Sequence, residues 1–175
     1  RPWQLNCLAK YMNNTGNDAG VTGLLVDEHK IVLARLMAFE TALDAFDLEQ
    51  IHATIRFFDE QVVLHRRKEE EVLFPAMKKH LGTEDGPIQC MLAEHQDEQE
   101  KIRKIRSLLE GNPGPTSRSA IVKAGRYILD LLRIHIVKED NILFPIAESV
   151  LTDEEKKEVL ARMKAIGFCN TECGG

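Results

Sequence analysis

Four stretches of the chain place apolar residues three and four positions apart, the period of a helix that buries one face. In residues 21–46 the stripe is Leu25, His29, Val32, Leu36, Phe39 and Leu43. In 48–80 it is Ile51, Ile55, Phe58, Val62, His65, Glu69 and Val72. A third, over about 87–110, reads Ile88, Met91, His95, Ile102, Ile105 and Leu109, with Glu98 or Gln99 in the gap after His95. The fourth follows a Gly- and Pro-rich break at 111–117 and runs to about 148 through Ile121, Ala124, Ile128, Leu131, His135, Glu139 and Ile142. Thr22 is a candidate N-cap, and Pro87 suits a first helical turn. Pro75 removes a backbone donor and predicts an end or kink near Phe74, with Gly82 as the final stop. Thr152 and the acids after it start a short last helix over 153–166. The expected fold is all-α, an antiparallel up-down-up-down four-helix bundle at 21–149. An N-terminal arm (1–20) precedes it, and a short C-terminal helix with a Cys-containing tail (150–175) follows.

The polar residues inside these stripes carry the chemistry. Residues 65–75 (HRRKEEEVLFP) recur as 135–145 (HIVKEDNILFP), identical at six of eleven positions. Each copy sets a histidine and a glutamate four residues apart, on one helix face. A Glu-His pair precedes each copy, at 28–29 and 94–95, so the chain reads as a helical hairpin repeated once. His29, His65, His95 and His135 then lie one to a helix on core-facing positions, with Glu69 and Glu139 a turn beyond two of them. Six buried polar groups in one layer would burden an ordinary core, and buried carboxylates need a partner or a metal. Two divalent ions satisfy all six. Imidazole and carboxylate without thiolate favour iron or manganese over a structural zinc. If both carboxylates bridge, each ion receives two nitrogens and two oxygens. Positions remain for an oxo or hydroxo bridge and for an exogenous ligand.

Composition narrows the partners. Net charge is −5, and the basic residues 65–68 run straight into Glu69, Glu70 and Glu71, so nucleic acid is not the expected partner. No apolar run has the roughly 18 residues that cross a bilayer, and no apolar signal core starts the chain; a cytoplasmic protein without membrane contact is expected. Cys7, Cys90, Cys169 and Cys173 form no zinc-type double pair and read as reduced thiols, with a redox pair or accessory ligand at 169/173 as the alternative. The Glu-x-x-His motif of ferritin-type sites occurs once, at Glu49 and His52, which excludes that architecture. No phosphate loop or nucleophile elbow is present.

Other residues near the stripes read less sharply. His52 and His80 are expected on the surface, and Glu98 on a solvated face. Gln99, one turn from His95, is a candidate to lean toward the metal or bond its ligand. Glu70 and Asp140 stand behind the ligands or in solvent, and Tyr127 is assigned equally to the core or to the surroundings of the metals. Leu73–Phe74 and Leu143–Phe144 are expected to plug the bundle end.

Over about residues 22–148 the chain resembles the hemerythrin-like (HHE cation-binding) family of non-haem di-iron bundles. The two His-x-x-x-Glu helices, the lone histidines before them and the Leu-Phe-Pro endings carry the match. The resemblance implies two iron ions, ferrous or ferric, held by His29, His65, Glu69, His95, His135 and Glu139, with both glutamates bridging. Oxygen carriers of the family have a fifth histidine where this chain has Gln99, and an aspartate at the spacing of Asp140. The four-histidine, two-glutamate set is closer to the iron–sulfur-centre repair proteins, whose cysteine-rich N-terminal module is missing from this sequence. The leading expectation is binding or sensing of a small diatomic ligand, O2 or NO, at an open iron position. The alternatives are iron–sulfur-centre repair, NO or peroxide reduction, and iron storage or sensing. No protein partner is indicated.

Overall fold

The computed structural model describes residues 20–81 and 86–169. Helix α1 is Gly23–Ala45 and α3 is Pro87–Leu109. Helix α2 (48–81) runs through α-helical Leu48–Phe57, Val63–Lys68 and Phe74–Leu81, joined by π-helical turns at Phe58–Val62 and Glu69–Leu73. Helix α4 (115–150) joins Pro115–Lys138 to Phe144–Val150 through a π turn at Glu139–Leu143, and α5 is Asp153–Ile166. Among the described residues every element is helical, and the helices pack as a bundle. None is long and apolar enough to cross a membrane. The expected N-terminal arm, Cys7, Gly82 and Cys173 lie outside the described residues.

Helix starts follow local chemistry. Pro87 and Pro115 open α3 and α4, where a missing N–H costs nothing. Asp47 accepts from the Gln50 amide at α2, and Thr152 and Glu155 cap α5 reciprocally. Thr22 departs from expectation. It makes no side-chain cap; its amide and hydroxyl both donate to Glu148 Oε1, at 3.0 and 2.9 Å, tying the start of α1 to the end of α4.

Pro75 does not end α2. The Phe74 amide reaches back five residues to the Glu69 carbonyl, and the chain widens into a π turn before resuming as α-helix. The Phe144 amide does the same to Glu139, ahead of Pro145. Proline cannot donate to the carbonyl four residues before it, and the wider turn absorbs that missing bond. Both glutamates of the repeat therefore stand at the mouth of a π turn. At the end of each π turn two consecutive side chains face inward, Leu73 with Phe74 and Leu143 with Phe144, and all four are buried.

The core is two apolar clusters with a polar layer between them. One contains Val32, Leu36, Phe39, Ile55, Ile105 and Ile128; the other contains Leu25, Leu73, Phe74, Met77, Met91 and Phe144. In the fourth stripe Ile121, Ala124, Ile128, His135 and Glu139 are buried as expected, whereas Leu132 and Leu143 take the core places expected for Leu131 and Ile142, and Ile142 is 54% exposed. Its counterpart Val72 is buried because α5 packs over that part of α2. Among the described residues no helix lies over Ile142 in the same way.

Candidate metal centre

The six residues singled out by the repeat meet in the polar layer. One donor group joins His29, His65, Glu69 and Glu139; a second joins His95, His135 and the same two glutamates, with all ligand atoms of each group within 4.8 Å of one another. All six residues are buried. The carboxylates face both groups. Glu69 sets Oε1 3.2 Å from His65 Nε2 and Oε2 3.4 Å from His95 Nε2. Glu139 sets Oε1 3.2 Å from His135 Nε2 and Oε2 3.2 Å from His29 Nε2. Each carboxylate thus spans the two groups, one oxygen to each.

Four further carboxylates fix the imidazoles. Nδ1 of His29 bonds Asp140 at 2.7 Å, and Nδ1 of His95 bonds Glu70 at 2.7 Å. Nδ1 of His65 bonds Glu28 at 2.9 Å, and Nδ1 of His135 bonds Glu94 at 2.9 Å. An ionised carboxylate only accepts, so each Nδ1 carries a proton and a neutral ring turns the lone pair of Nε2 inward. Those Nε2 atoms face each other in pairs, His29 to His65 at 3.0 Å and His95 to His135 at 3.1 Å. Two lone pairs at that distance repel unless a cation lies between them. The four oxygens of Glu69 and Glu139 are buried with no hydrogen-bond donor among the described residues, which poses the same demand. Bonds of ~2.1 Å at right angles put neighbouring donors ~3 Å apart, close to the spacings seen. The donor sets fit two divalent cations.

Phe144 stacks on the His29 ring, with centroids 5.4 Å apart, and Phe74 stacks on His95 at 6.2 Å. The phenylalanines of the two Leu-Phe-Pro motifs are thus core plugs that also stack on the rings of His29 and His95. The carboxylates behind the rings are less evenly supported. Fully buried Lys68 donates to Glu28 at 2.6 Å, and the Cys169 amide donates to the same oxygen at 2.9 Å. In the other half Lys138 pairs with Glu94 on a surface open to solvent. Glu28 and Glu94 were visible in the sequence only as the residues before two histidines; the echo of Glu-His in both halves was the available signal.

Three expectations about neighbouring residues change. Glu98 is fully buried, bonded by Arg66 at 2.8 Å, and lines a cavity of about 20 Å³ against the four histidines. Gln99 is only half-buried and does not line that cavity. Tyr127 is 43% exposed and bonds Asp97 on the surface, away from core and metals alike. The apolar stripe reaches Ile102 seven residues after His95, so the step between them falls to Glu98 at three rather than Gln99 at four. His52 and His80 are on the surface as expected, with His80 bonded to Glu155. A larger open groove of about 530 Å³ beside Phe46 and Arg118 touches none of the six donors.

The electrostatics of the metal-free chain yield a test. Burial alone would lower the His65 pKa, but the carboxylates of Glu69 and Glu28 override it and raise it to about 10. Burial is likewise outweighed at His135 by Glu139, Glu69 and Glu94, giving about 9. An unfolded histidine titrates near ~6.5. Raised folded values stabilise the metal-free fold fully below that pH, and the contribution is lost as pH rises through 9 to 10. The thermal midpoint of chelated protein should therefore fall from about pH 6.5 to 10, while apparent metal affinity rises over the same window as protons are displaced. A midpoint flat across that range would contradict the assigned contacts.

Cys169 is buried behind Glu28, and burial, with the Glu28 charge, pushes its thiol up to about 12. It is outside both donor groups. Cys90 is exposed. In native protein iodoacetamide should label Cys90 at least ~10-fold faster than Cys169, as read by peptide mass spectrometry. Equal labelling would mean that the 167–169 segment does not cover Glu28.

Comparison with known proteins agrees with this geometry. The hemerythrin HHE cation-binding domain model matches residues 21–147. The chain belongs to that family. An iron-sulfur cluster repair protein YtfE from Enterobacter sp. (strain 638) is 30% identical over 135 residues, covering 68% of this chain and 59% of the relative. YtfE from Escherichia coli O81 (strain ED1a) is 31% identical over the same span, and that from Citrobacter koseri 30%. The matched part of this chain thus spans 59% of the length of these hemerythrin-like relatives. No solved structure matches.

Proposed function

We propose that the chain is the di-iron module of an iron–sulfur cluster repair activity, with His29, His65, Glu69, His95, His135 and Glu139 as ligands and iron as the cargo. The observation that carries this reading is the pair of donor groups, each with two histidines of its own, that share two carboxylates and include no thiolate. The relatives bearing the cluster-repair name match across the same helices. Soft thiolates hold iron of cluster sites strongly, so imidazole and carboxylate make a donor set from which iron moves downhill to a cysteine-lined acceptor. The two positions would share both carboxylates, so neither ion would have the full charge of either glutamate to itself. The residues behind the ligands keep the Nε2 atoms aimed inward throughout. When bound, the metal pair supplies the exchangeable iron and any redox change.

The test is transfer. Iron-loaded chain is mixed anaerobically with a cluster protein depleted of iron and supplied with sulfide. Return of the acceptor's visible absorption, faster than from an equal amount of chelated iron, supports repair. Iron that stays with the chain would refute it. The second reading is binding of a diatomic ligand, O2 or NO, at an open position; the cavity against the four histidines favours it. An optical change on adding NO to reduced protein, without iron loss, would support that reading.

A further inference from the structure

The cavity breaks the internal repeat. The residue three beyond His29 is Val32, and three beyond His95 it is Glu98; the residue after His135 is Ile136, and after His65 it is Arg66. All four line the same cavity. At each of these two positions one half of the repeat is apolar where the other carries a carboxylate or a guanidinium. The remaining walls beyond the histidines are Val62 and Leu132. A polar pair stands among walls that, beyond the histidines, are otherwise hydrocarbon. Burying it brings no expected gain in stability, since such pairs exchange for apolar residues at little or no cost.

Half of the Glu98 carboxylate is used and half is not. Oε2 accepts from Arg66 Nη1 at 2.8 Å. Oε1 is buried with no donor among the described residues. The cavity, at about 20 Å³, has room for one water-sized group. A carboxylate held by a guanidinium accepts hydrogen bonds and donates none. The species that completes this site must therefore donate a hydrogen bond and be no larger than one or two heavy atoms.

We propose that Glu98, steadied by Arg66, holds a protic oxygen ligand, water or hydroxide, in the cavity beside the metal pair and so selects what reaches its open position. This rests on the reading that the six residues hold two iron ions. Incoming ligands that can donate a hydrogen bond, such as hydroperoxide, replace the held species at no loss. Ligands with no proton to give, such as cyanide ion or NO, must leave Glu98 Oε1 bare. Glu98 is a positioning and specificity residue on this account, not a metal ligand.

The repeat supplies the variant. E98V/R66I copies the residue types of the other half and leaves no stranded charge. Iron content and thermal melting are measured first, then cyanide is titrated into the oxidised iron-loaded protein and NO into the reduced one. The double variant should keep both irons, melt no lower than the parent, and bind both probes at least about 10-fold more tightly, the loss of a hydrogen bond to a charged group. E98Q keeps an acceptor oxygen and should stay close to the parent. Unchanged affinities in a double variant that retains both irons would overturn the proposal. So would a fall to about one iron per chain in both variants, which would make Glu98 a ligand. If the parent itself takes up no iron pair, the metal assignment fails, and that is seen before any variant is compared.

Discussion

Glu139→Ala should leave the chain with less than about half the iron the parent binds, measured by metal analysis after the same loading and desalting. Glu139 offers one oxygen to each donor group, so its removal takes a ligand from both positions at once. Position one would be left with His29, His65 and Glu69, and position two with His95, His135 and Glu69. Three donors hold a divalent ion far less well than four. His65→Ala is a milder loss, because it strips only one position. The Glu139 substitution also affects the metal-free fold. The oxygens of Glu139 are buried without hydrogen-bond donors among the described residues, and the imidazoles of His135 and His29 hold its carboxyl below the usual range against the cost of burial. Chelation should therefore lower the thermal midpoint of the parent much more than that of the alanine variant. Full iron in both Glu139→Ala and His65→Ala would mean that the ligands lie elsewhere.

Lys68→Met should destabilise the protein by about 3 kcal/mol, whereas Lys138→Met should cost less than about 1 kcal/mol. The two lysines occupy the same position in the repeat and bond equivalent glutamates. Their surroundings differ. Lys68 is 0% exposed and Glu28 is sealed by the Cys169 amide, so loss of the ammonium strands a buried carboxylate. The Lys138 side chain is 35% exposed, and water takes its place beside Glu94. Lys68→Met should also weaken iron binding at the His29/His65 position by ~10- to 100-fold, because Glu28 orients His65. Chemical denaturation and iron titration of the two variants side by side check both statements. Equal stability losses would show that the two halves are covered alike.

Most of the polar layer was legible in the amino-acid order. A histidine or glutamate at a core position of an apolar stripe has few explanations, and the same pattern written twice leaves fewer. That reasoning placed all six donors on inward faces, and the fold brings them together. It also gave an all-helical bundle and the cap at Thr152. Pro87 opened its helix as expected, but Pro75 did not end α2, because a missing donor can be absorbed by a wider turn as well as by a helix end. Glu98 misled for another reason: charge argues for the surface, and only a guanidinium from a different helix makes its burial tolerable.

What the sequence determined by itself, then, is whatever follows from spacing along one helix: which face is apolar, which polar residues interrupt it, and that His65 and Glu69, like His135 and Glu139, share a turn. The tertiary structure alone decided what depends on neighbours far along the chain. It set Asp140 behind His29 and Glu70 behind His95, although those partners are 111 and 25 residues apart. It also laid α5 over one half and not over the other, so equivalent residues of a repeat became buried in one place and exposed in the next. Helical periodicity is local and is written in the order of residues, whereas burial and hydrogen-bond pairing across helices depend on which surfaces meet.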